Sequence, residues 1–152
     1  MTMQQHEAPR KTDETRGARE EQASRVEDAR TRSALRALRL YSPGTLQNLI
    51  ADFDVPLNDI FADEIEGLLN APEVGRDSRT DTLMPAWMER FGIDAHALRH
   101  ARPGEFRHLG GVCGDCALGG RCWRALRSGE AIDACRTFCP NAEAFDRLAS
   151  AA

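Results

Sequence analysis

The chain has 152 residues, with 24 acidic and 20 basic side chains for a formal net charge of −4; 41 % of it is hydrophobic and only 6 % aromatic. That size allows one compact domain with a tail, or two very small units, and nothing in the net charge argues for nucleic acid or an anionic membrane as partner. No 18-residue apolar run exists and residues 1–21 have no apolar segment of a secretory leader, so the expected setting is the cytoplasm, without a membrane span.

In chain order, residues 1–22 are rich in Gln, Glu, Arg, Thr and Asp, a composition that reads as a disordered tail. Between Gln22 and Leu40 the apolar residues Val26, Leu35 and Leu38 form a thin stripe, which predicts a helix. Ser42-Pro43-Gly44 breaks it. Leu46, Leu49, Ile50 and Phe53 then follow the i, i+3, i+4, i+7 pattern of a short amphipathic helix, ended by Val55-Pro56. Asn58 is placed to cap a further helix whose apolar face is Ile60, Phe61, Ile65, Leu68 and Leu69. Residues 40–69 therefore predict a helical hairpin. Residues 41–80 also carry eight acidic and two basic side chains, which makes a DNA-facing surface there unexpected.

Pro72, Gly75 and scattered charges mark residues 71–80 as a linker. Asp81 or Thr82 can cap a helix running to Phe91, with Leu83, Met84, Trp87, Met88 and Phe91 on one face and Gly92 at the C′ position. Asp94 caps a turn or two through Leu98, and Pro103 begins a short segment through Leu109. Gly110-Gly111 opens the cysteine region. Arg121 to Leu126 is expected to be helical and closed by Ser128-Gly129. Pro140 suits the first position of a last helix with Ala142, Phe145 and Leu148 inward. No strand pattern is present. The expected fold is all-α: a small helical bundle with a tail at 1–22, N-terminal helices at 23–70, a linker at 71–80 and a cysteine-rich, metal- or cluster-binding subdomain at 81–150.

Five cysteines lie in the last third of the chain, at 113, 116, 122, 135 and 139, spaced C-x2-C-x5-C-x12-C-x3-C. In a reducing compartment clustered thiols more often bind metal or do redox work than form structural disulfides, and an odd number leaves one unpaired. Gly114 eases the tight turn that would aim Cys113 and Cys116 at one centre. Gly119-Gly120 supplies a flexible loop to bring in Cys122. The fourth ligand is Cys139 or Cys135. Cys139 is favoured because Pro140 as first helical residue makes it the N-cap, where the helix dipole stabilises thiolate. Cys135 remains an alternate ligand or a small buried apolar residue.

Thiolates select zinc or iron–sulfur clusters. A single C-x2-C, rather than two such knuckles, with a distant Cys-Pro fits an iron–sulfur cluster better than a zinc ribbon. Zinc, a metal-free fold and a dithiol pair at Cys113/Cys116 are the rivals. A c-type haem is disfavoured, because Ala117 stands where histidine is required. Arg107, Arg121, Arg124 and Arg136 are candidates to offset the charge of the centre. His96 and His100, four apart, can share a helix face, but no third ligand accompanies them; His108 is an outside candidate ligand, and His6 lies in the tail. Trp87 reads as core. Trp123 packs, or shields the centre from water.

Residues 83–149 resemble an uncharacterised family of small proteobacterial cysteine-rich proteins, a domain of unknown function. The resemblance rests on Leu83-Met84, on Met88-Glu89-Arg90-Phe91-Gly92-Ile93-Asp94, on the Cys113/Cys116/Cys122 trio with Trp123, and on Phe138-Cys139-Pro140-Asn141-Ala142 with Phe145 and Leu148. It implies that Cys113, Cys116, Cys122 and Cys139 act together, while Cys135 departs from the pattern. The family has no settled activity.

No nucleotide loop, serine-hydrolase elbow or H-E-x-x-H motif is present, so catalysis is not expected. The sequence predicts a small protein that holds a cluster, [4Fe-4S] in type, for redox or iron sensing or electron transfer. A protein partner is expected at the N-terminal helices, with nucleic acid unlikely and no small-molecule substrate evident.

Overall fold

A computed structural model describes residues 11–151, and every regular element among them is helical. The elements are α1 (Lys11–Tyr41), α2 (Pro43–Ala51), α3 (Asp59–Asn70), α4 (Arg76–Ser78), a π-helical turn (Arg79–Leu83), α5 (Met84–Arg90), α6 (Ala95–Ala101), α7 (Pro103–Asp115), α8 (Gly119–Ser128), α9 (Ile132–Arg136) and α10 (Ala142–Ser150). The all-α expectation holds. No helix among the described residues is long and apolar enough to cross a membrane.

Local chemistry accounts for most boundaries. Asn58 caps α3 by accepting from the Phe61 N–H at 2.8 Å, and Asp94 caps α6 by accepting from the Ala97 N–H at 3.0 Å. Gly92 and Gly129, at φ +79° and +66°, end α5 and α8. Each is followed by a 6→1 hydrogen bond, from the Ile93 N–H to the Met88 carbonyl and from the Glu130 N–H to the Ala125 carbonyl. Glycine accepts that left-handed backbone without a Cβ penalty.

Three expectations need correction. Helix α1 begins at Lys11, so the tail predicted over 1–22 is helical from that residue onward; residues 1–10 and His6 lie outside the described residues. From Glu14 to Glu27 its side chains are exposed on every side, with Arg16–Glu20 and Glu21–Arg25 paired one turn apart. Second, residues 71–80 are not an exposed linker. Gly75, Ser78 and Arg79 are buried there, and the chain runs helically from Arg76 to Arg90. Third, the short segment expected from Pro103 through Leu109 does not stop there, because α7 runs on through Gly110 and Gly111 as far as Asp115.

The π turn has a local cause. Pro85 has no N–H to give to the residue four back, and its ring crowds that carbonyl. The helix widens just upstream, and the Met84 N–H bonds to the Arg79 carbonyl, five residues back.

One continuous core runs from Leu35 through Ile50, Ile65, Leu69, Trp87 and Met88 to Trp123 and Phe145. The N-terminal helices join it through α3 against α8. Gly119 and Gly120 open α8 as buried helical residues rather than as a flexible loop. A Cβ on Gly120 would lie 2.2 Å from Cγ of Glu66, and one on Gly119 would lie 2.3 Å from the Leu69 carbonyl oxygen. These glycines are contact residues. Arg124 pairs with Asp63 and Glu66, and Trp123 donates to the Ile50 carbonyl at 3.1 Å, fastening the same seam.

Candidate metal centre

Cys113 lies in the last turn of α7, Cys116 is its C-cap residue, Cys122 is in the first turn of α8, and Cys139 follows α9. All four line one cavity, whose other walls include Arg79, Leu83, Met84, Trp87, Phe138 and Phe145. Trp87 and Phe145 are almost fully buried, while Leu118 and Pro140 at the margin are exposed, so the cavity has a dry floor and an open rim. Its roomy centre measures about 30 Å³. Among the described residues no three His, Cys, Asp or Glu side chains are grouped so as to hold a metal ion as they stand.

Three of the four sulfurs accept a hydrogen bond from nitrogen. The Asn141 side-chain amide donates to Cys113 at 3.1 Å, the Leu118 main-chain N–H to Cys116 at 3.4 Å, and the Trp87 indole N–H to Cys122 at 2.9 Å. Near Cys139 the Ala142 N–H bonds to the Cys139 carbonyl at 3.1 Å, and the main-chain N–H groups of Asn141 and Ala142 favour its thiolate. Asn141 is 2 % exposed, and its amide also donates to the Leu109 carbonyl, which ties α7 to the start of α10.

The bare thiols differ in electrostatics. Burial, the largest influence, pushes the Cys113 thiol up to about 12, against the pull of the Asn141 hydrogen bond and the Arg79 charge. Burial likewise raises Cys122. Cys139 is lowered to about 7, first by a hydrogen bond from the Cys135 thiol and then by the two main-chain N–H groups. The expected N-cap position of Cys139 is corrected, and the first cause of its lowered value is the Cys135 thiol rather than a helix end. Helix α10 begins at Ala142 with Asn141 as N-cap, and Pro140 lies in the turn before it.

Cys135 is fully buried in α9 and does not line the cavity. Nor is Trp123 a wall of it; its indole faces α2. His96 and His100 do share a face, with ring centroids 4.5 Å apart, on exposed α6, and exposed His108 is not among the lining residues. Arg121, Arg124 and Arg136, expected to balance the centre, are engaged with Glu130, with Asp63 and Glu66, and with Asp133 and Asp146. Arg107 is exposed and away from the cavity lining.

Two wall residues, Trp87 and Arg79, and the hydrogen-bonding Asn141 were not legible as such. Trp87 read as core because its spacing is that of a core face, and only its N–H distinguishes it. Asn141 stood inside the Phe-Cys-Pro-Asn motif without a role. Arg79 lay in the supposed linker. No family model, curated protein or solved structure matches the chain.

Proposed function

We propose that the protein binds an iron–sulfur cluster, [4Fe-4S] in type, through Cys113, Cys116, Cys122 and Cys139, and works in electron transfer or in redox or iron sensing. The observation that carries this reading is four cysteines lining one apolar-floored cavity, with N–H donors on the sulfurs of Cys113, Cys116 and Cys122. A neutral thiol is a weak acceptor, whereas a thiolate gains from charge-assisted hydrogen bonds. Hydrogen bonds to sulfur and exclusion of water are also the means by which proteins set cluster potentials. The resemblance over residues 83–149 selects the same four cysteines.

The cluster would supply the one-electron chemistry. The chain's own part is to hold four thiolates, to keep water from the floor with Trp87 and Phe145, and to leave a rim open past Leu118 and Pro140. The same four cysteines around one cavity also support a second reading, one structural zinc ion in an adaptor protein, which four thiolates can hold at about 2.3 Å from the metal.

Metal analysis and a visible spectrum on protein purified without air separate the two. The expected result is brown protein containing iron and acid-labile sulfide, bleached by Cys113→Ser but not by Cys135→Ser. Colourless protein with stoichiometric zinc would establish the second reading instead. Protein that holds neither metal, even after reconstitution with iron and sulfide, would leave both without support.

A further inference from the structure

Arg79 is only 2 % exposed, yet its guanidinium carries a full positive charge. All five of its N–H groups go to main-chain carbonyls. Nε donates to Cys113 at 3.2 Å, Nη1 to Leu69 at 2.7 Å and Ala71 at 2.8 Å, and Nη2 to Pro72 at 2.8 Å and Gly114 at 2.6 Å. Its hydrogen bonding is complete. Its charge is not so simply matched, since none of the ion pairs among the described residues includes it.

A buried cation without a counter-ion is costly. The carbonyls belong to the C-terminal ends of α3 and α7 and supply only the partial negative charge of two helix ends. No carboxylate lines the cavity beside Arg79; the groups there that can take a full negative charge are the four cysteines. The packing is built around this side chain. A Cβ on Gly75 would lie 2.6 Å from its Nη1, and one on Gly119 would lie 2.8 Å from its Cδ. Two of the five acceptors, Cys113 and Gly114, belong to the turn that presents Cys113 and Cys116.

We infer that Arg79 is the internal counter-cation of the four-cysteine centre: its hydrogen bonds fix the Cys113–Cys116 turn, and its charge raises the reduction potential of the bound cluster. This rests on the cluster reading above. Arg79 is a positioning residue, with no N–H left over for a sulfur. Reduction adds one negative charge to the centre, and a fixed cation at its wall favours the more negative state.

The test is a redox titration of the loaded wild-type protein, Arg79→Gln and Arg79→Lys, followed by visible absorption and electron paramagnetic resonance. Arg79→Gln is expected to lower the midpoint potential. Arg79→Lys is expected to keep most of it while losing stability, because three ammonium protons cannot serve five carbonyls. A folded, loaded Arg79→Gln with the wild-type potential would overturn the inference and leave Arg79 as a cap of two helix ends. Wild-type protein that takes up no iron removes the cluster reading and this inference together. If the Gln variant does not fold, the wild-type protein decides. The Arg79 side-chain ¹⁵N–¹H resonance is expected to shift or broaden when the cluster is reduced with dithionite, and an unmoved resonance would overturn the proposal.

Discussion

Trp123 and Trp87 are both at most 1 % exposed, and each is crossed by an arginine, Arg127 at 5.0 Å from the ring centre in one case and Arg90 at 5.2 Å in the other. They belong to different regions. Trp123 stands at the seam between α8 and the N-terminal helices and gives its N–H to the Ile50 carbonyl, an acceptor that any fold must satisfy. Trp87 stands in the cavity wall and gives its N–H to the Cys122 sulfur, an acceptor that gains much from it only as thiolate. Burial does not distinguish scaffold from site. The acceptor does.

Substitutions can break or sharpen that contrast. The largest effect is expected from Trp123→Ala, a loss of about 3–5 kcal/mol of stability by chemical denaturation, with the visible spectrum of the loaded protein unchanged. Trp87→Phe keeps most of the packing and is expected to cost only about 1 kcal/mol while shifting the visible absorption or midpoint potential. A spectral change from Trp123→Ala, or none from Trp87→Phe, would erase the distinction.

Next are the glycines. Gly120→Ala is expected to destabilise by about 1–3 kcal/mol, because the new methyl meets Cγ of Glu66 at 2.2 Å and the Glu66 carbonyl oxygen at 2.8 Å. Gly111→Ala, in α7, places its methyl in open space with no neighbouring element within 4 Å, and is expected to stabilise by about 0.5–1 kcal/mol. Thermal unfolding of the two variants shows whether the α3–α8 seam is as tight as these distances require.

Asn58→Ala removes the α3 cap and is expected to cost about 1 kcal/mol with no effect on metal content. The smallest perturbation is chemical labelling of the metal-free protein. Cys139, lowered to about 7, gains thiolate as pH rises through that value, whereas Cys113, at about 12, remains a thiol. Iodoacetamide at pH 7.5, about one unit from the ordinary cysteine value, is therefore expected to modify Cys139 well before Cys113, as read by peptide mass spectrometry. Equal labelling would show that the Cys135 and main-chain hydrogen bonds do not act on Cys139.

What the sequence made legible was what depends on neighbours in the chain. The apolar periodicity of α2, α3 and α5, the caps at Asn58 and Asp94, and the stop at Gly92 are all decided within a turn or two. Cys113, Cys116, Cys122 and Cys139, picked out by spacing and motif, all line one cavity. Residues 71–80 were not legible. Pro72, Gly75 and the charges are those of a loop, and Arg79 is buried because three carbonyls at the end of α3 and just after it are joined by two from the end of α7, far along the chain. Gly119 and Gly120 misled for a related reason: flexibility and close approach call for the same residue, and only the facing Glu66 and Leu69 decide between them. The Arg124 and Arg136 side chains, near cysteines in sequence, turn instead toward carboxylates on α3 and α10.

The π turn at Arg79–Leu83 has a consequence for how insertions and deletions would be tolerated. Such a turn holds one residue more than a regular helix does. Deleting Thr80 would remove that surplus, so the turn can close to ordinary winding while the helix on either side keeps its facing. A further inserted residue, left unabsorbed, would instead turn everything upstream by about 100° relative to Trp87 and carry Arg79 off the cysteine wall, although no residue touching a sulfur had been altered. The segment already holds its one surplus residue, so it tolerates shortening better than lengthening.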